Sequence, residues 1–367
     1  GLELGSRRAR LSTALLQSVR LKICSPSRKA KNSMTRIACT LMQKNEALLI
    51  EPWLMYHGYL FGFENLFVWD NGSTDASVIH TLRRFESAGV NVCWDRTEKS
   101  DFHHKGAIIG TTVHQFREQD RYDLVVPLDC DEFVAMSGAR GLSTNRSEIL
   151  AYLSKLHRRA GAPQMMWGYH NWPGHLDLFK VEVFDKAVIP VADFNWIDEG
   201  FHFVNLSSTS HKYRSELSYI HLHHKPLAAL KYHAAAKLEG MIDINDRAAM
   251  AEYINAGTHL TRFIYMNEED YCNTIRNEYP LARTQTLIKT FSALGCLEAL
   301  RKQWEESKQA YIDGIGEHSI TDIDGNYDRS AYLQYNLDLL KPIVDPLAHF
   351  VQHGVAERRR AVFGPKD

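Results

Sequence analysis

The most chemically loaded stretch of this sequence is an apolar run that ends abruptly in three carboxylates, Tyr122-Asp123-Leu124-Val125-Val126-Pro127-Leu128-Asp129-Cys130-Asp131-Glu132-Phe133. Its first part has the pattern of a strand buried on both faces. Strand alternation would point Asp129 and Asp131 to one side and Cys130 to the other. Two carboxylates side by side repel each other. A hard divalent cation placed between them and a phosphate turns that repulsion into binding. The competing reading is a solvated loop after a strand. The apolar strand before the acids and the aromatic after them favour a metal site.

Other polar residues gather where neighbouring strands should end. Ile37 to Met42 reads as a first buried strand, followed by Lys44-Asn45-Glu46. An amphipathic helix is expected from about Glu51 to Leu60, with Pro52 tolerated only in its first turn. Leu66 to Trp69 is a second strand, ending in Asp70-Asn71-Gly72-Ser73-Thr74-Asp75, where Asn-Gly signals a turn and Ser73, Thr74 or Asp75 caps the next helix. Val90 to Trp94 is a third strand, and Lys105 opens a helix to about Gln119. The alternation of strand and helix implies an α/β fold, with a Rossmann-like, mostly parallel sheet flanked by helices and ligands at the carboxyl ends of its strands.

After Phe133 the pattern changes. Asn145 and Glu148 form a capping box. Met165 to Trp172 is rich in aromatics, and Trp196 precedes Asp198 and Glu199 in a loop. In Leu217 to His223, Ile220 and Leu222 share one face while Tyr219, His221 and His223 share the other. Residues 240–312 read as mostly helical. The organisation expected is a basic segment over 1–35, a catalytic domain over 36–240, a helical extension over 241–325 and a short helical module over 326–367.

Composition narrows the class. The chain has 367 residues, 44% hydrophobic, with a formal net charge of −1, which argues against nucleic acid as a partner of the whole molecule. No apolar stretch approaches the ~20 residues that span a bilayer, and Gly1 to Arg20 lacks the apolar core of a secretory signal. The six cysteines form no C-x-x-C pair and read as reduced, which points to the cytoplasm. Residues 1–36 carry nine Lys or Arg against one acid, Glu3. That segment reads as a solvated tail, or alternatively as a peripheral contact with anionic lipid at the inner face of a membrane.

Five spaced motifs taken in order resemble a known family. Lys44-Asn45-Glu46, then Glu51, Trp53, Tyr56 and His57, then Asp70 to Asp75, then Asp129-Cys130-Asp131-Glu132-Phe133, and finally His221 to Lys225 are similar to those of family 2-like glycosyltransferases, above all the family 92-like (DUF23-type) branch with a D-x-D-E-F motif. The resemblance covers roughly residues 36–240. It implies a GT-A fold, a UDP-sugar donor, Mn²⁺ or Mg²⁺, a glycan or lipid-linked saccharide acceptor and inversion at the anomeric carbon.

On that reading, Asp129 and Asp131 hold the metal against the leaving diphosphate, which is stabilised by Lewis-acid action. His221 and His223 complete the metal shell. Asp70 bonds the uracil or ribose, and Asp75 and Glu46 either touch the nucleotide or serve the helix starts they precede. Lys44, Lys105 and Lys225 are donor-site cations, the last two with a surface role as the alternative. Inversion needs a base for the acceptor hydroxyl, for which Asp198 and Glu199 are the candidates because Trp196 beside them offers a face to a sugar ring. Other readings of the same acids are an aspartate-dependent phosphohydrolase, a sugar nucleotidyltransferase, and a non-catalytic carbohydrate-binding or scaffold protein.

Overall fold

The computed structural model of the chain describes residues 35–255, 258–276, 280–305, 320–339 and 345–364. The basic segment lies outside the described residues up to Met34, and with it the expected lipid contact. Arg36, the last of its nine cations, is held by Asp120 and Asp123.

The first half alternates as its pattern predicts, with one short unforeseen helix, α3: β1 (Ile37–Gln43), α1 (Ile50–Phe61), β2 (Leu66–Asp70), α2 (Ala76–Ser87), β3 (Asn91–Cys93), α3 (Lys99–His103), α4 (Lys105–Glu118) and β4 (Leu124–Pro127). These strands form a parallel sheet in the order β3-β2-β1-β4. Every residue of β1, β2 and β4 is buried, because helices cover both faces. Strand period sorts the side chains cleanly. Cys39, Leu41, Leu66, Val68, Leu124 and Val126 pack with Trp53 and Leu54 of α1 and Leu82 of α2. Ala38, Met42, Phe67, Trp69 and Val125 pack with Ile109, Val113 and Phe116 of α4. Pro52 sits in the first turn of α1, where its missing N–H costs no helical bond.

The chain runs outward from β1 to β3 and then crosses back to place β4 on the other side of β1. The segments leaving β1 and β4 therefore diverge, and the crevice between them is the topological switch point at which open α/β sheets bind ligands. Lys44 to Glu46 leave β1 there, and the acidic motif leaves β4.

A second, mixed sheet follows, made from β5 (Glu132–Gly138), β6 (Gly141–Ser143), β7 (Ala162–Asn171) and β8 (Leu178–Ala187), with α5 (Arg146–His157) between β6 and β7. Its later strands are β12 (Lys212–Arg214), β13 (Leu217–His221), β14 (Leu281–Arg283) and β15 (Ile320–Asp322), in the order β15-β14-β8-β7-β13-β5-β6, with β12 beside β7. The short β9 (Ile189–Pro190) returns to pair antiparallel with β4, and β10 (Phe194–Ile197) pairs with β11 (Val204–Leu206) against α4. Helix α6 (Leu227–Leu238) follows β13. The expected helical region beyond residue 240 thus also supplies strand β14. Tyr327, Tyr332, Leu347 and Phe350, from the C-terminal stretch, lie in the same buried cluster as β1 and α1.

The Trp53, Tyr56 and His57 motif turns out to be a clamp. Tyr56 donates its hydroxyl to the Val134 carbonyl at 2.5 Å. His57 bonds through Nδ1 to the Trp53 carbonyl and accepts from the Val134 amide through Nε2, and its ring stacks on Phe133. This helix-borne trio fixes the first residues of β5, and so the acidic motif just before them.

The His57 bonds require a neutral ring, and burial pushes its pKa down to about 3. In the unfolded chain the same imidazole titrates near ~6.5. The stability it contributes is therefore complete above about pH 6.5 and is lost as pH falls through the interval down to about 3, with the unfolding constant rising about tenfold per pH unit for this one group. A His57→Gln chain is expected to show a shallower loss in urea melts stepped through that interval. An unchanged slope would refute the assignment.

Candidate active site

Strand alternation does not carry through the acidic motif. β4 stops at Pro127, a turn closes with the Glu132 amide on the Asp129 carbonyl, and Glu132 starts β5 in the second sheet. Asp129 and Asp131 therefore lie in a hinge between two sheets, not side by side on one strand, and they face different partners.

Asp129 accepts from Lys105 at 2.5 Å and from Lys186 at 3.0 Å. Lys186, on β8, is 2% exposed and also pairs at 2.9 Å with Glu132, which is 1% exposed. Burial opposes ionisation of Asp129, but the two ammonium groups outweigh it and hold the carboxyl well below its usual range. Burial likewise opposes the charge on Lys186, and Asp129 and Glu132 outweigh it in turn. The α4 terminus that carries Lys105 is seated by a close backbone approach. A Cβ at Gly106 would lie 2.8 Å from the carbonyl oxygens of Ile197 and Asp198.

Asp131 faces the other way. Its carboxylate lies 3.4 Å from His221 Nε2 and 3.6 Å from Lys225 Nζ. Lys225 in turn bonds Glu46 at 2.8 Å. The Leu222 amide donates to the Asp131 carbonyl at 2.8 Å, and Asn171 bonds the His224 amide and carbonyl, so the histidine-bearing segment is tied to both the acidic turn and β7. One ligand atom each from Asp131, His221 and His223 can be chosen so that all three lie within 4.8 Å of one another. His221 Nδ1 is buried with no hydrogen-bond partner. Burial lowers the His221 imidazole but Asp131 more than compensates, and its pKa is raised. Burial, with His221 next to it, keeps His223 neutral, as metal ligation requires.

In the crevice as a whole, four carboxylates (Glu46, Asp129, Asp131, Glu132) meet three ammonium groups (Lys105, Lys186, Lys225). The acids outnumber the lysines by one, before any proton on His221, where burial is outweighed by Asp131 and the pKa is raised.

The other expected residues fall into two groups. Glu46, Lys105, Asp129, Asp131, His221, His223 and Lys225 converge here. Asp70 is buried and its oxygens are taken by Gln43 and by the Ser73 amide and hydroxyl. Asp75 caps α2 by accepting from the Ser77 amide. Asn45, at φ 55°, accepts from the Thr74 and Asp75 amides, which knits the β1 and β2 loops together. Lys44 is exposed. Asp198 accepts from the Gly200 and Phe203 amides within its own turn, and Glu199 accepts from the Gly106 amide at the start of α4. Trp196 is 51% exposed, whereas Trp167, Tyr169 and Trp172 are buried.

Sequence reasoning missed Lys186 and His170. A lysine inside an apolar strand and next to Ala187-Val188-Ile189 is a sign of a buried partner. The His170 ring on β7 lies tilted against that of His221, with ring centroids 4.7 Å apart, and only the β7–β13 register brings them together.

No protein-family model matches this sequence, and no curated protein matches it. Among solved structures, the mannosyltransferase PcManGT from Pyrobaculum calidifontis, in complex with GDP-Man and Mn²⁺, is 12% identical over 77% of this chain and 86% of its own, with a TM-score of 0.32. TarS from S. aureus, residues 1–349, is 11% identical over 76% of this chain and 92% of its own, with a TM-score of 0.27.

Proposed function

We propose that the protein is a metal-dependent, inverting glycosyltransferase that moves a sugar from a nucleotide donor, UDP-linked in first place, to a glycan or lipid-linked saccharide. The observation that carries this is the Asp131, His221 and His223 group at the switch point of a doubly wound sheet, flanked by lysines. A mixed nitrogen and oxygen donor set suits Mn²⁺ better than Mg²⁺, which prefers oxygen alone. A divalent cation held there would supply Lewis-acid stabilisation to the leaving diphosphate.

The chain's own residues account for the rest. Lys105, the first residue of α4, holds its ammonium on Asp129, where it would meet a phosphate oxygen drawn to the helix start. Lys225 divides its charge between Glu46 and Asp131 and would add a positive charge beside an incoming anion. Lys186 holds Asp129 and Glu132 in place from beneath. The phosphohydrolase reading needs Asp129 as an open nucleophile, and two lysines engage both of its oxygens.

Titration calorimetry of UDP, with and without Mn²⁺, tests the reading, together with a screen of nucleotide sugars for Mn²⁺-dependent donor hydrolysis. UDP binding that requires Mn²⁺ and hydrolysis of at least one donor are expected. UDP binding indifferent to the metal, with no donor consumed, would sink it.

A further inference from the structure

Asp198 and Glu199 bond backbone amides in their own surroundings, which leaves the proton-accepting role open. The second sheet offers a carboxylate for it. Directly paired residues share a sheet face. Across β5, β13, β7 and β8, the register sets Glu132 opposite His221, His221 opposite His170, and His170 opposite Lys180. One step along the same face, Tyr219 is opposite Gly168 and Gly168 is opposite Glu182. Glu182 therefore stands on the face that carries the metal-type group, two strands away from His221.

Three observations single it out. Its carboxylate is 37% exposed and lies 3.8 Å from His170 Nε2, a buried atom with no hydrogen-bond partner. Lys180 pairs with it from the same strand. The position opposite it has no side chain. A Cβ at Gly168 would come within 2.8 Å of His170 Nε2 and 2.9 Å of the Tyr219 hydroxyl oxygen, so only glycine lets the His170 ring settle over this position and reach toward the carboxylate. At the β8 irregularity just beyond, Phe184 is 45% exposed, with its ring 4.7 Å from His202 and 6.4 Å from His170. An exposed ring next to an exposed carboxylate is the arrangement that receives a pyranose, with the apolar face on the ring and a hydroxyl on the acid.

We infer that Glu182 is the general base of the transfer and that Phe184 carries the acceptor sugar. This rests on the glycosyltransferase reading. The acceptor oxygen forms its bond to the anomeric carbon on the face opposite the leaving group. The bond from that carbon to the diphosphate oxygen breaks, its electron pair departs with the nucleoside diphosphate, and the acceptor proton passes to a Glu182 carboxylate oxygen. His170 and Lys180 are positioning residues for that carboxylate.

The test uses the full chain, Mn²⁺ and the nucleotide sugar that the wild type hydrolyses. Glu182→Gln is expected to slow donor consumption by on the order of 10²- to 10⁴-fold, with calorimetric UDP and Mn²⁺ binding unchanged. Azide attacks without losing a proton, so added azide should restore donor consumption in Glu182→Ala and yield a glycosyl azide of inverted configuration. Consumption by Glu182→Gln within threefold of wild type would overturn the inference. So would a loss of activity accompanied by lost UDP binding, or a loss that azide does not relieve. A wild type that consumes no nucleotide sugar overturns the underlying reading instead.

Discussion

Asp131→Asn is expected to abolish measurable Mn²⁺ binding and to lower donor hydrolysis by on the order of 10³-fold, the kinetic equivalent of the several kcal/mol that a metal ion contributes to a developing diphosphate charge. The substitution preserves shape and removes the one anionic ligand, leaving two imidazoles that hold a hard cation poorly. The turn should survive, because its closure depends on main-chain bonds from Glu132 and Leu222 rather than on the Asp131 side chain. Lys225 retains Glu46 as a partner. His221→Ala should behave in the same way. Asp129→Asn should not, because Asp129 faces Lys105 and Lys186. Metal titrations of the three variants separate the two aspartates. Wild-type Mn²⁺ affinity in Asp131→Asn would remove the proposed metal site.

Lys186→Met is expected to destabilise the fold by about 3–5 kcal/mol, the usual cost of removing one partner from a buried ion pair. Glu132 would be left buried and charged with no ammonium beside it, and the Gly200 carbonyl would lose its donor. The methionine fills most of the volume, so the loss is electrostatic rather than a cavity. For a chain of this size the melting temperature should fall by roughly 4–7 °C. The double variant Lys186→Met with Glu132→Gln should recover part of that loss, since it removes the stranded charge as well. A melting temperature within about 1 °C of wild type for the single variant would show that solvent reaches this pair and that the lysine is dispensable.

These two expectations rest on different kinds of legibility. The continuous apolar runs of β1, β2 and β4 marked strands buried on both faces, and their order with the intervening helices implied the doubly wound sheet that is present. Asn145 caps α5 as expected, and Asp75, expected either to cap α2 or to touch the nucleotide, does accept from the Ser77 amide, because capping is a local bond between a side chain and amides two or three residues away. The Glu148 half of the capping box is different. Its carboxylate takes the Ser143 hydroxyl, a partner that only the β6 turn supplies.

The acidic stretch shows where local reasoning stops. That Asp129 and Asp131 share a crevice with Glu46 followed from residue types and strand ends, since charges in otherwise apolar runs must find partners, while His221 and Lys225 joined them through the family resemblance. Which charge meets which did not follow. Alternation predicts the face of a strand but not its neighbour, and it fails where the backbone turns. The break after Pro127 sends Asp129 to two lysines and Asp131 to a histidine. The β5–β13–β7–β8 order then brings His170, Glu182 and Lys186 into the same sheet from roughly 40 to 60 residues further along the sequence. Sheet order and register are settled by the packing of whole elements, here by Phe133 docking under Tyr56 and His57, and a sequence carries the parity of each strand without the identity of its partner.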